Sequence, residues 1–230
     1  MLNLTVFFRQ LLRLLKLNRL LAKLLYPSGY EAKFDEATLS RIRPGDTVWD
    51  VGANVGYYTE KFAIATGEKG AVQAFEPVPD TFDILSNNMS SFQNINFFCY
   101  ALGKYNESLL MTDSDETGSP TNKILGNDFE HAEISTINIQ VRRGDNLVDE
   151  KEAMPPNVIK IDVEGHEGDV IEGLSGLLGN NAVHTIAMEI HFALLDERNE
   201  NHVPKFIVTE LEKYSFTVNW TDPSHIVAYR

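Results

Sequence analysis

The sequence predicts an α/β domain in which a mostly parallel sheet carries helices on both faces. Three observations support this. Apolar runs of strand length recur at residues 47–51, 71–75, 95–102, 157–163 and 184–190, each nearly continuous, as strands buried on both sides read. Helical patterns alternate with them, at 57–66, 79–88, 169–178 and 203–214. Glycines cluster where the first run passes into its helix, in VWDVGANVGYYTEKFA, residues 48–63.

A chain of 230 residues with 43% apolar content has material for one domain with a full core. Two parts are expected: a basic amphipathic helix over residues 1–30 and a folded domain over 31–230. The net charge of −13 repels phosphate backbones, which excludes nucleic acid as a partner. Cys99 is the sole cysteine, so no intrachain disulfide forms, and its FFCY setting predicts a buried thiol. That usage suits a reducing, cytoplasmic compartment.

In residues 1–26 the cations Arg9, Arg13, Lys16, Arg19 and Lys23 share one helical face and no acid is present. Leu4, Phe7, Phe8, Leu11, Leu14, Leu15, Leu21 and Leu25 cover most of the remainder. Two readings fit such a helix. One lays it on an anionic membrane surface, peripheral at the inner face; the other packs it on the domain or on a second copy in a homodimer. Basic residues interrupt the leucines too often for a membrane span, and the clean basic-then-apolar order of a signal peptide is missing.

Along the domain, the turn residues Arg43, Pro44, Gly45 and Asp46 precede the first strand. The second strand stops at Glu76 and Pro77, and Asp80 and Thr81 favour the first turn of the next helix. Residues 103–146 break the alternation with two strand-like runs, 108–112 and 135–142. Between them residues 113–130 read as a loop, either a lid over a site or a plain solvated connection. The chain closes with strand-like runs at 216–220 and 226–229 around Asp222 and Pro223.

Gly52 and Gly56 let a ligand approach the main chain at the carboxyl edge of the sheet. A nicotinamide loop normally reads GxGxxG; here Ala53 and Asn54 stand in DVGANVG, and Asp50 disfavours a nearby phosphate. Glu76, 20 residues past Gly56, is placed to take ribose hydroxyls, which suits any nucleoside-containing cofactor.

The segments VWDVGANVGYYT, AFEPVPDTFDILSNN, IKIDVEGHEGDVIEGL and AMEIH, in this order, resemble the FkbM-like family of S-adenosylmethionine-dependent methyltransferases. The resemblance runs from about Asp46 to the C-terminus, and IDVEGHE is its most specific piece. It implies a class I methyltransferase (Rossmann-like) fold, a seven-stranded sheet ordered 3-2-1-4-5-7-6 with the last strand antiparallel, and O-methylation, commonly of sugar hydroxyls. S-adenosylmethionine is the implied cofactor. The implied cofactor-binding positions are Asp50, Gly52, Ala53, Asn54, Gly56, Tyr58 and Thr59 in the loop and its helix, Glu76 and Pro77 at the ribose, Ala101 and Leu102 against adenine, and Asp162. Tyr100 departs from the family pattern, which often has a small polar residue there.

Methyl transfer to a hydroxyl requires an aligned acceptor oxygen and a group that removes its proton. Asp162, Glu164, His166 and Glu167 follow the fourth strand, and Glu189 and His191 end the fifth. Asp162, Glu164, His166 and His191 are the catalytic candidates, and a histidine poised near neutral pH is the leading base. The six groups could also hold a divalent metal, but their spacing matches no defined ligand motif, so no metal is assigned. The competing functions are a nicotinamide-dependent oxidoreductase, against which Asp50 and Ala53 stand, and a non-catalytic, membrane-associated cofactor-binding scaffold.

Overall fold

The fold is taken from a computed structural model, which describes residues 32–112 and 136–230. The expected N-terminal helix and the expected loop at 113–130 lie outside the described residues. After helix α1 (Ala32–Leu39), the chain alternates β1 (Thr47–Val51), α2 (Tyr57–Thr66), β2 (Ala71–Phe75), α3 (Pro79–Asn88) and β3 (Ile95–Phe98). The inserted strands β4 (Ala101–Leu102), β5 (Glu107–Thr112) and β6 (Thr136–Arg142) follow, then α4 (Gly144–Asp149) and β7 (Val158–Ile161). Helices α5 (Glu167–Gly173) and α6 (Ser175–Leu178) lead to β8 (Thr185–Glu189), α7 (Phe192–Glu197), α8 (Val203–Lys213), β9 (Thr217–Trp220) and β10 (His225–Tyr229).

Seven strands form one sheet in the order β3-β2-β1-β7-β8-β10-β9. Pairing is parallel from β3 to β8, while β10 runs antiparallel to both β8 and β9. This is the order, and the antiparallel strand, that the family resemblance implies. All five residues of β1 and all five of β2 are buried, because helices cover both faces.

Alternation along the strands divides the core into two layers. Trp49, Val51, Ile159, Ile161, Ile186 and Met188 face α5, α6 and α8 through Val170, Leu174, Leu178, Ile207 and Leu211. Val48, Val72, Ala74 and Val158 face α2 and α3 through Phe62, Ala63, Leu85 and Met89. Asp50 and Lys160 are register partners on this second face and so are committed to the interior.

Four expectations need correction. The run at 95–102 is not one strand: β3 ends at Phe98, and Ala101–Leu102 joins a second, three-stranded sheet with β6 and β5. An unbroken apolar run could not reveal that the chain leaves the main sheet within it. Cys99 lies in that break and is exposed rather than buried. The helix expected at 169–178 starts at Glu167 and divides at Leu174, where α5 packs so closely on the insertion that a Cβ on Gly173 would lie 2.0 Å from the Gly103 carbonyl oxygen. Helices α1, α4 and α7 were not expected, since eight or fewer residues barely show a 3.6-residue period.

Candidate active site

At the carboxyl edge of β1, Gly52 turns the chain with φ +80, and a Cβ there would fall 1.9 Å from the Asp162 carbonyl oxygen. Only glycine fits such an approach between the ends of β1 and β7. The N–H groups of Gly52 and Ala53 donate to the Phe75 carbonyl, both at 3.0 Å, which fixes the loop to the end of β2. Asn54 has φ 49, and its N–H donates to Glu76 Oε2 at 2.9 Å, while the Val78 N–H donates to Glu76 Oε1 at 3.0 Å. Burial pushes the Glu76 carboxyl above the usual range, partly offset by these two donors. Each of its oxygens keeps lone-pair capacity for a further hydroxyl.

Gly52, Asn54, Glu76, Pro77, Ala101, Leu102 and Asp162 line one cavity, with Phe75, Val78 and Ile139 as its apolar wall and Glu164 and His166 at its far end. A wider groove of about 740 Å³ runs beside β3 between Phe97 and Met154; Lys151 and Glu152 are its charged lining, and none of the candidate residues lies in it.

The other expected cofactor positions are not brought to the cavity. Asp50 is fully buried beneath the loop, where the Thr59 hydroxyl donates to its Oδ2 at 2.6 Å. Lys160 Nζ lies 3.5 Å from Asp50 Oδ1 and 3.4 Å from Asp162 Oδ2, and donates to the Gly52 carbonyl at 3.2 Å. Asp50 therefore reaches the loop through Lys160 and does not line the cavity. Ala53 is buried, Gly56 precedes α2 with φ 103, and the Tyr58 hydroxyl donates to Asp35 at 2.7 Å. Lys160 escaped the sequence reading, although a lysine inside the apolar run VIKI demands a buried anionic partner.

The far end is built from the turns after β7 and β8. Glu164 has φ 50 and Gly165 φ 91, so the chain doubles back before α5 and brings Asp162 and Glu164 together. His191, just past β8, points Nε2 at Glu164 Oε2 at 3.3 Å and at Asp162 Oδ1 at 3.7 Å. Its Nδ1 donates to Glu167 Oε1 at 2.7 Å, and the same oxygen accepts the Gly165 N–H at 2.8 Å. Glu167 is fully buried and orients the imidazole.

These contacts set the charges. Burial opposes charging of His191, but the Glu167 hydrogen bond and the surrounding carboxylates prevail and raise its pKa to about 9. Burial lifts the Glu164 carboxyl to about 7 despite His191 beside it. Partial burial acts on Asp162 in the same direction, yet Lys160 and His191 hold it below the usual carboxylate range. Glu189 lies 3.4 Å from His225 Nε2, and Asp222 Oδ1 lies 2.9 Å from His225 Nδ1.

His191 thus differs from the expectation of a base poised near neutrality. His191 is an imidazolium at neutral pH. His166 accepts at Nε2 from Arg198 Nη1 at 2.8 Å, so its proton sits on Nδ1, facing Asp169 Oδ2 at 3.2 Å. Both its nitrogens are occupied by partners 32 and 3 residues away in sequence, which spacing could not show. Asp162, Glu164 and His191 each offer an atom within 4.8 Å of the others, a set able to hold a cation.

A model of the methyltransferase FkbM domain matches residues 50–218. The chain is 32% identical over 154 residues to the hexuronic acid methyltransferase AglP of Haloferax volcanii, covering 66% of this chain and 59% of that protein. It is 28% identical over 149 residues to Methyltransferase 1 of Beauveria bassiana, covering 57% and 59%. The chain thus spans about three fifths of the length of these curated relatives. Among solved structures, Methyltransferase FkbM from Methylobacillus flagellatus KT superimposes with a TM-score of 0.54 at 16% identity, over 83% of this chain and 44% of that one. SMU.1697c of Streptococcus mutans, in complex with SAH, gives 0.53 at 10% identity, over 86% and 96%. At these identities the structures establish a shared class I methyltransferase fold.

Proposed function

The chain belongs to the FkbM methyltransferase family, and on that premise we propose that it transfers a methyl group from S-adenosylmethionine to a hydroxyl of a sugar in a glycan. The observation that carries this reading is a single cavity with Glu76 at one end and Glu164 at the other. The residues fit an adenosine-bearing cofactor. Glu76 retains acceptor capacity for two ribose hydroxyls, Phe75, Val78, Leu102 and Ile139 offer an apolar surface to a base, and the Gly52–Asn54 turn admits a ligand to the main chain.

The cofactor would supply an electrophilic methyl group on a positively charged sulfur. The chain's own part is alignment and proton removal. Glu164, with a pKa raised to about 7, is half ionised near neutral pH and accepts the acceptor's hydroxyl proton. His191, held by Glu167, keeps the Glu164 and Asp162 carboxylates turned toward one point. Asp162, tied to Lys160, stays ionised and accepts a second hydroxyl hydrogen bond.

A sugar acceptor draws support from the relative named as a hexuronic acid methyltransferase. Such a sugar has both hydroxyls and a carboxylate. The carboxylates of Asp162, Glu164, Glu167 and Glu189 around His191 favour the neutral hydroxyl over an anion. A lipid-linked glycan at the inner face of a membrane suits the basic, leucine-rich residues 1–26, with homodimerisation through the same segment as the other role for it. No helix among the described residues is long and apolar enough to cross a membrane.

Calorimetry with S-adenosylmethionine and with NAD, followed by S-adenosylhomocysteine formation on uronic-acid and neutral oligosaccharides, tests this reading. Binding of NAD alone would support the oxidoreductase, and cofactor binding without turnover on any acceptor would support the scaffold. An ether product survives mild alkali and an ester does not, which identifies the acceptor oxygen. Removing residues 1–26 should abolish sedimentation with anionic liposomes while leaving cofactor binding intact; a change from dimer to monomer would assign the segment to packing instead.

A further inference from the structure

Beside the acid–histidine end lies an aromatic pair that the proposed reaction does not use. Phe192 directly follows His191 and starts α7, while Trp220 ends β9; their ring centroids are 6.0 Å apart with planes inclined by 32°. Trp220 pairs with Ile226, and its neighbour His225 pairs with Glu189 at the end of β8, so the indole stands at the same carboxyl edge as the candidate site. Two strand spacings, about 10 Å, separate β9 from β8. Phe192, next to His191 in the chain, links the indole to the histidine's turn.

Trp220 is 37% exposed, on an outermost strand of the sheet. The other tryptophan, Trp49, is fully buried with its Nε1 donating to the Met154 carbonyl at 2.7 Å. Glu164 and Glu189, both partly exposed, bring carboxylate acceptors to the same edge. A partly exposed indole next to acceptor groups matches one ligand chemistry well: a pyranose has an apolar C–H face and a rim of hydroxyl donors.

We propose that Trp220 and Phe192 form a stacking platform for a sugar unit of the acceptor glycan, setting which hydroxyl reaches Glu164. This subsite rests on the sugar-methylation reading, and the two can fail separately. Its loss should weaken acceptor binding without touching the cofactor, because neither ring lines the cavity that holds Glu76 and the Gly52 turn.

The test compares intact protein with Trp220→Ala and Trp220→Phe, using a glucuronic-acid oligosaccharide and a neutral glucose oligosaccharide of equal length. Trp220→Ala should raise the acceptor KM about tenfold, the scale of one lost apolar ring contact, with kcat and cofactor affinity unchanged. Trp220→Phe should restore most of the loss. Because Trp49 is buried, glycan-induced quenching of tryptophan fluorescence in the wild-type protein reports on Trp220 even if a variant folds poorly. A KM within twofold of wild type in Trp220→Ala, with methylation intact, overturns the platform and leaves the methyltransferase reading standing. Quenching by the oligosaccharide without S-adenosylhomocysteine formation supports the platform and sinks sugar methylation. Absence of quenching by both oligosaccharides overturns the platform.

Discussion

The two ends of the cavity are built on opposite principles. At the β1–β2 end, polar atoms meet main-chain partners: Glu76 accepts from the Asn54 and Val78 N–H groups, and Phe75 accepts from Gly52 and Ala53. At the β7–β8 end, Asp162, Glu164, Glu167 and His191 answer mainly to one another, so each one's charge depends on the next. The first arrangement gives a shape fixed by main-chain hydrogen bonds. The second gives a site whose protonation changes across the physiological range. Binding suits the former and proton transfer the latter.

The comparison predicts unequal damage from equal changes. Glu164→Gln should lower turnover by roughly 10² to 10⁴, with cofactor affinity within about twofold of wild type, because the amide cannot accept the proton. Parallel single-turnover and calorimetric measurements check this, and a large loss of cofactor affinity would break the division between the two ends.

Lys160 joins the ends, since it contacts Asp50, Asp162 and the Gly52 carbonyl. Replacing it with methionine preserves length but strands the buried Asp50 carboxylate, and should cost about 3–5 kcal/mol of stability in urea unfolding. A smaller effect is expected at the binding end. Glu76→Ala should weaken cofactor binding by about tenfold with a modest effect on saturated turnover. Unchanged affinity would place the ribose elsewhere.

How much of this the chain announced in advance follows from the range of each interaction. The strands were legible because VWDV, AVQAF and TIAME are apolar runs bounded by turn residues, and the acids and histidines just past them fell at the sheet edge. Glu76, Asp162, Glu164 and His191 were placed at that edge in this way. The roles within the cluster were not legible. Glu167 reaches His191 across 24 residues and Arg198 reaches His166 across 32, and those contacts decide what each imidazole can still bind. Asp50 was read as facing a ligand because its position near the glycines was visible while its register partner Lys160 was not. Trp220 looked like an ordinary strand residue until pairing placed it beside the site.

The pH dependence of the single-turnover rate, measured at saturating cofactor and acceptor, tests most directly whether the far end runs on a carboxylate base beside a charged histidine. Both groups have raised pKa values, Glu164 about 7 and His191 about 9, so ionising Glu164 adds a base as pH rises through about 7, and deprotonating His191 removes the charge that holds it near 9. The predicted profile rises through about pH 7, levels off and falls through about pH 9, while cofactor affinity stays flat over the rising limb. A rate that stays low at pH 7 and climbs only as His191 loses its proton near pH 9 would make the neutral imidazole the base and contradict the assignment of Glu164.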